Sequence, residues 1–383
     1  MPARGMTPRP SVLIVSNGRG EDAVGAAVGA LLRRSADVLA YPLVGRGEAY
    51  RDAHLLDPRR VLPSGGFALR AGVGALVGDL RAGGLSLWRE QRSTLAARRG
   101  RSQAVLAVGD VYALWMAARA DGDIVFVATA KSETIEPHGA LEVGIMRRHA
   151  RVVFARDART ADVLRSRSLN ARFAGNALVD VIPEPAGPLP LPPGAPVVLL
   201  LPGSRLDAPR NTAALLTLAR RVAEAEPAIF TLTLPPSVEM ARVIREATAA
   251  GWTVDGAFLR LPTAAVYVTR DFGATVRRAT VGVGLAGTAN EQTAALGTPV
   301  VAFAPKGAVQ YTPAFMRLQH RLLGDALLPA PDWEHAADAV VRLLRDAVER
   351  SRRGAAGRER MGPPGAVPAI AAEVEERLRR GPA

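Results

Sequence analysis

The segment Val281 to Tyr311 (VGVGLAGTANEQTAALGTPVVAFAPKGAVQY) limits the fold more than any other part of the chain. Val281 to Leu285 is a short apolar run without polar alternation, as in a strand buried on both faces. Ala286-Gly287-Thr288-Ala289 makes a small-residue turn, and Asn290-Glu291-Gln292 starts a helix. A Gly-Thr-Pro break then leads into a second apolar strand, Val300 to Ala304. Strand, helix and strand in that order predict a layered α/β fold. A glycine turn at a helix N-terminus also makes an anion site, because free backbone N–H groups and the helix dipole face the ligand. Glu291, one step inside the helix, is placed to bond the neighbouring hydroxyls of a ribose. Diphosphate and ribose side by side describe a nucleotide, so a nucleotide-sugar site is expected. The same residues fit a capping box in which Thr288 and Glu291 satisfy the helix's own N–H groups. On this segment alone both roles stay open.

The same pattern recurs near the start of the chain. Ser11 to Val15 (SVLIV) is a continuous apolar run, followed by Ser16-Asn17-Gly18-Arg19-Gly20-Glu21-Asp22 and a small-residue helix from Ala23 to Leu32. This turn is not a Gly-x-Gly-x-x-Gly, and Glu21 and Asp22 at the helix start repel phosphate, which disfavours a dinucleotide. It suits a neutral, hydroxyl-rich ligand, or Asp22 merely complements the helix dipole. Further strands are predicted at Val38 to Leu43, Ala104 to Val108, Ile124 to Ala128 and Val152 to Ala155, with helices at Val111 to Arg119 and Arg159 to Arg165. Asp110 falls where a strand ends and a helix begins, at the carboxyl edge where open α/β sheets bind ligands. It suits either a general base for a hydroxyl or a helix cap. His138, in a polar loop after the next strand, is a candidate ligand contact or a simple turn residue.

Val181 to Pro196 (VIPEPAGPLPLPPGAP) is a proline-rich linker, semi-rigid because its prolines favour extended backbone. The alternation then restarts. Val197 to Leu201 is a strand ending in Pro202-Gly203-Ser204-Arg205. A helix near Thr212 to Glu224, a strand at Ile229 to Leu234, a helix near Val238 to Ala249 and a strand around Val266 to Val268 follow. Gly203 and Ser204 supply donors to a diphosphate and Arg205 neutralises it. Two donor-rich turns at strand ends in one half of the chain strengthen the nucleotide expectation. One long helix is predicted from Glu334 to Arg352 and a last amphipathic helix from Ala366 to Leu378. The division expected is an N-terminal domain at 1–180, the linker at 181–196, a C-terminal domain at 197–353, and a tail at 354–383 whose helix packs back on the first domain.

Length supports this division, since 383 residues are too many for one ordinary core. The chain has no cysteine, which removes disulfides and thiolate chemistry, and its five histidines do not cluster at ligand spacing, so no metal site is expected. A net charge of +13 with only 5% aromatic residues lacks the stacking platform of nucleic-acid binders and fits attraction to anionic surfaces. MPARGMTPRP has no apolar signal core behind it, and Phe67 to Trp88 carries Arg70, Asp79 and Arg81, which rules out a spanning helix. A cytoplasmic protein is expected. Phe67 to Trp88 is either core helix or a flap against an anionic membrane, arginines on the head groups, which would make the protein peripheral on the membrane's inner face.

Taken together, Ser16-Asn-Gly-Arg-Gly-Glu-Asp22, Val108-Gly-Asp110, Leu201-Pro-Gly-Ser-Arg205, Gly287-Thr-Ala-Asn-Glu-Gln292 and Gly297-Thr-Pro-Val-Val301 resemble the lipid-A-disaccharide synthase family, and more closely its "lipid-A-disaccharide synthase-related" group. Order and rough spacing hold from about Ser11 to Gly324. The resemblance implies a GT-B architecture, two Rossmann-like domains facing across a cleft, with a UDP-sugar in the C-terminal domain and the acceptor in the N-terminal one. It implies Asp110 as base, Arg205 on the diphosphate, Glu291 on the ribose and Gln310 near the donor sugar. Two departures stand out. The N-terminal loop lacks the Gly-Glu-x-Ser-Gly-Asp of the synthases, so the lipid A precursor itself is not implied as acceptor. Glutamate also falls one residue closer to the Gly-Thr pair, so Gln292 shares its expected role.

The expected activity is metal-independent, inverting transfer of a GlcNAc-type sugar from a UDP-sugar, the co-substrate, to a lipid or lipid-linked acceptor, with no further cofactor. Asn17, Gly18, Gly20, Glu21, Asp22 and His138 lie on the acceptor side. Gly203, Ser204, Arg205, Gly287, Thr288, Glu291, Gln292 and Gln310 lie on the donor side. Two other functions fit the same frame: a UDP-sugar epimerase, and a non-catalytic binder of lipid or membrane surface.

Overall fold

The computed structural model describes residues 9–60, 83–203, 207–235 and 238–380. The chain forms two compact units, Met1–Val181 with Pro364–Ala383, and Ile182–Pro363.

In unit 1 the strands are β1 (Ser11–Ser16), β2 (Asp37–Pro42), β3 (His54–Leu55), β4 (Ala104–Gly109), β5 (Asp123–Ala128), β6 (Val152–Ala155) and β7 (Ala171–Arg172). They lie in the order β3-β2-β1-β4-β5-β6-β7, every pair parallel. Helices cover both faces. Val12 and Ile14 of β1 join one core cluster while Leu13 and Val15 join the other, all fully buried. That is why SVLIV carries no polar alternation.

One of those covering helices comes from the end of the sequence. Ala366–Arg380 packs Ile370, Ala371 and Val374 into the cluster that holds Val24, Val28 and Val12. Asp180 fixes its start, accepting from the backbone N–H groups of Gly365 at 2.6 Å and Val367 at 2.7 Å. Near its other end Arg377 pairs with Asp123 of β5 at 2.7 Å and with Glu373 at 2.6 Å.

Unit 2 holds β8 (Val197–Leu201), β9 (Ile229–Thr233), β10 (Thr253–Asp255), β11 (Phe258–Arg260), β12 (Ala265–Thr269), β13 (Val281–Gly284), β14 (Val300–Phe303) and β15 (Leu327–Ala330). Their order is β10-β11-β12-β9-β8-β13-β14-β15, antiparallel only among β10, β11 and β12. The proline-rich segment is tied to this unit. Arg277 donates to the Pro183 carbonyl at 2.6 Å, and Arg278 donates to that of Ala195 at 2.8 Å.

Sequence and structure differ in three places. The first helix begins at Arg19 rather than Ala23, so Gly20, Glu21 and Asp22 are helical and only Asn17 and Gly18 remain in the turn. The expected helix from Glu334 to Arg352 is two helices, Trp333–Arg345 and Ala347–Met361. Asp346 separates them with a non-helical backbone and caps the second by accepting from Glu349 N–H at 2.8 Å. Strands β3, β7, β10, β11 and β15 escape the pattern search because they are short or lie at sheet edges. Among the described residues no helix is long and apolar enough to cross a membrane.

Because Ile370 is fully buried in unit 1, Ile370→Ala leaves a cavity there. It is expected to lower unfolding free energy by roughly 2–5 kcal/mol, measured by urea denaturation.

Candidate functional site

In a parallel sheet, connections leading away from a central strand pair to opposite sides leave a crevice at the carboxyl ends of that pair. Unit 1 reverses its strand order between β1 and β4, which pair from Val12–Ala104 to Ser16–Val108. Asn17 follows β1 and Asp110 follows β4, so two of the residues singled out above meet at the reversal. Asn17 Nδ2 donates to Asp110 Oδ1 at 2.5 Å, and the same oxygen accepts from Ala113 N–H at 3.1 Å. Asp110 is therefore both a helix cap and a group anchored from the neighbouring strand end. Burial, opposed by these hydrogen bonds, holds its carboxyl above the ordinary range.

Glu21 converges on the same place. Gly109 sits at φ +138°, and a Cβ there would stand 3.5 Å from Asn17 Cβ and 3.6 Å from Glu21 Cγ. Thr129, at the end of β5, donates its hydroxyl to Glu21 Oε1 at 3.2 Å. Burial first, and the nearby Asp110 charge in addition, pushes the Glu21 carboxyl up. Asp22 points the other way, into the core, where it accepts from Ser16 Oγ at 2.6 Å. Ser16 in turn bonds Tyr50 Oη at 2.8 Å. A buried carboxyl in a hydrogen-bond network does more than complement the helix dipole. Burial pushes Asp22 up to about 7, the Glu21 charge assisting.

Unit 2 reverses its strand order between β8 and β13, which pair from Val281–Val198 to Gly284–Leu201. The two glycine turns singled out above follow these strands and are neighbours. Leu285 N–H donates to the Leu201 carbonyl at 2.8 Å, and Gly203, at φ +81°, passes so close that a Cβ would lie 2.8 Å from the Leu285 oxygen. Only glycine fits there. Ser204 and Arg205 lie outside the described residues.

The helix Thr288–Ala295 is capped by the Gly287 backbone with no side-chain cap hydrogen bond, so Thr288 and Glu291 do not form a capping box. Thr288 is exposed in the first turn, Glu291 is half-buried and Gln292 is buried. As at any helix start, the first N–H groups have no intrahelical acceptor and face an anion. The turn is braced from behind. Gln319 Nε2 donates to the carbonyls of Ala286 at 3.2 Å and Gly287 at 3.0 Å, while Gln319 Oε1 accepts from Tyr311 Oη at 2.8 Å and Asn290 Nδ2 at 2.9 Å. Asp207, which opens the helix Ala208–Ala225, accepts from the N–H groups of Val309 and Gln310, both at 2.8 Å. The segment carrying Gln310 is thus pinned beside the Gly203 turn.

Gln319 and Asp207 had no local signal in the sequence, since their bonds reach elements far away along the chain. His138 is not at the reversal. It is buried, with Nδ1 2.8 Å from Glu133 Oε1, and its carbonyl accepts from Arg167 at 2.7 Å. Of Phe67 to Trp88, residues 67–82 lie outside the described residues, and Trp88 stands in the helix Gly84–Ala96.

The Asp22 carboxyl gives a pH-dependent stability. Its folded value, about 7, lies above its ordinary 3.8. Between those values the unfolded chain releases a proton that the folded chain keeps, so stability falls as pH rises through that window. Asn keeps the acceptor for Ser16 without the charge. Asp22→Asn is expected to raise the melting temperature at pH 8 clearly more than at pH 5, with a gain of up to about 4 kcal/mol at the higher pH, read by calorimetry.

No family model and no curated protein matches the chain. Solved structures do. The calicheamicin glycosyltransferase CalG4 is similar at TM-score 0.61 with 18% identity, over 98% of this chain and 99% of that one. UDP-GlcNAc 2-epimerase from Neisseria meningitidis bound to UDP-GlcNAc is similar at 0.58 with 13% identity, over 97% and 100%. MnaA of S. aureus with UDP is similar at 0.61 with 12% identity, over 97% of each. The chain therefore has the two-domain α/β fold with parallel Rossmann-like sheets found in GT-B glycosyltransferases and epimerases.

Proposed function

We propose that the protein is an inverting glycosyltransferase that moves a sugar of the GlcNAc type from a UDP-sugar to the hydroxyl of a lipid or lipid-linked acceptor. The observation that carries this is the position of Asp110, a half-buried carboxyl fixed by Asn17 at the strand-order reversal of unit 1. Unit 2 has its own reversal, where two glycine turns and a helix start favour a diphosphate. Asp110 takes the proton from the acceptor hydroxyl as that oxygen attacks the anomeric carbon. UDP leaves, its negative charge met by the N–H groups at Gly203 and Gly287, by the dipole of the helix starting at Thr288, and by Arg205. Glu291 and Gln292 bond the ribose, and Gln310 contacts the donor sugar. Asn17 keeps Asp110 aimed, and Glu21 contacts the acceptor.

A UDP-sugar epimerase is the second reading. It is supported by the solved epimerases, which match as well as the transferases do, and by a second carboxyl, Glu21, beside Asp110. Incubation with UDP-GlcNAc alone separates the two, since an epimerase converts it without acceptor while a transferase yields new glycolipid only when a lipid extract is added.

For the transferase, Asp110→Asn is expected to cut turnover at least about a hundredfold, while UDP affinity by isothermal titration stays within about twofold because only the base is lost. The wild-type rate is expected to fall as pH drops through a value above the ordinary carboxylate range, since Asp110 acts as base only when deprotonated and burial raises its pKa. An Asp110→Asn enzyme that still turns over removes the assignment.

A further inference from the structure

Unit 1 carries a cluster of aromatic rings and arginines that none of the chemistry above uses. Trp88, on the helix Gly84–Ala96, and Trp115, on the helix Val111–Ala117, stack with centroids 6.5 Å apart and planes 14° from parallel. The Arg92 guanidinium lies 4.6 Å from the Trp88 centroid and 5.3 Å from that of Trp115. Arg119 lies 4.4 Å from Trp115 on the same ring system, and Tyr112 extends the row at 6.3 Å. Each tryptophan is thus followed four residues later by an arginine, and one arginine spans both rings.

The charge balance of this cluster is unusual for the chain. Most arginine clusters here contain a carboxylate, as at Arg377 with Asp123 and Glu373 or Arg345 with Glu226. Among the described residues no carboxylate lies within ion-pair distance of Arg92 or Arg119. The Arg119 Nε is buried without a hydrogen-bond partner. Burial first, and the like charge of Arg92 second, holds its guanidinium below the ordinary range. Two adjacent positive groups on an aromatic platform, with no carboxylate partner among the described residues, favour an external anion. All four side chains are half-buried, and Leu85, one turn earlier on the Trp88 helix, is 46% exposed.

We propose that this Trp88–Arg92–Trp115–Arg119 face is a docking surface for an anionic phospholipid bilayer. The lipid phosphates sit on the two guanidinium groups, and the indole rings lie at head-group level, where amphipathic aromatic rings settle. A lipid surface supplies the negative charge that the described residues around Arg92 and Arg119 do not. The proposal stands on unit 1 alone and does not require the transferase reading. It has a geometric corollary: Trp115 lies about 7–8 Å along its helix from Asp110, so the base would work close to the bilayer.

The test is co-sedimentation of the full chain with vesicles of phosphatidylcholine alone or mixed with phosphatidylglycerol, at physiological ionic strength. The wild type is expected to bind the mixed vesicles and not the neutral ones, with a blue shift of tryptophan emission. Arg92→Gln with Arg119→Gln is expected to weaken partition at least roughly tenfold, from about fivefold for each arginine at such a surface. The exposed pair Arg245→Gln with Arg321→Gln, both in unit 2, removes the same charge elsewhere and is expected to change partition less than twofold. Each single Arg→Gln variant carries the same test if the double variant does not fold. Equal loss in both double variants would show attraction by the overall +13 charge and overturn the proposal. So would unchanged partition in Arg92→Gln/Arg119→Gln, or loss of binding to the mixed vesicles in millimolar inorganic phosphate at constant ionic strength, which would mark a soluble phosphate site instead. UDP titration of the same variants keeps this outcome separate from any failure of the nucleotide site.

Discussion

Both candidate sites of this protein depend on where each sheet changes the direction of its strand order. A parallel strand cannot be joined to its neighbour by a tight hairpin, so the chain must cross a face of the sheet each time. While successive crossovers go the same way, strand ends are covered by the loops leading into the next helix. Where the order reverses, those loops part. In unit 1 the parting exposes the residues after β1 and β4, and in unit 2 those after β8 and β13. Asn17 and Asp110 occupy the first gap, and Gly203 and Ala286–Gly287 line the second.

The two gaps differ in sign. The first is rich in carboxyl groups, with Asp110 and Glu21 both held above their ordinary pKa by burial. A phosphate would be repelled there, while a hydroxyl that must lose a proton would be served. The second is built of backbone turns and a helix start, which favour an anion without any side chain at all. Its stiffness comes from polar side chains behind the turn. Gln319 bonds two turn carbonyls as well as Tyr311 and Asn290, and Asp207 locks the next loop by two N–H groups. Carboxyl groups with raised pKa and anion-favouring backbone turns are thereby divided between the two units.

The fold was legible because buried parallel strands have an unmistakable composition. Val12 to Val15 and Val197 to Leu201 are apolar throughout since both their faces are covered, and each leads into a turn whose residues announce themselves. The short strands, most of them at sheet edges, were not legible, because a length of two to four residues leaves no period to detect. Of the site, Asp110 and the two glycine turns were readable from their position at strand ends. Gln319 was not, since a glutamine in an amphipathic helix resembles any surface residue until its partners are known. The capping-box role of Thr288 and Glu291 failed for a local reason. The Gly287 backbone already starts the helix, which puts Thr288 inside it.

The helix Ala366–Arg380 has a consequence for the order in which the protein is made. Unit 1 is not one continuous stretch of chain, since all of unit 2 is translated between its two parts. Until that helix has been synthesised, Val24, Val28 and their neighbours lack the side chains of Ile370, Ala371 and Val374 that cover them. Unit 2 has its whole sequence by then. The amino-terminal unit, although its synthesis begins earliest, is the one whose core residues are completed last.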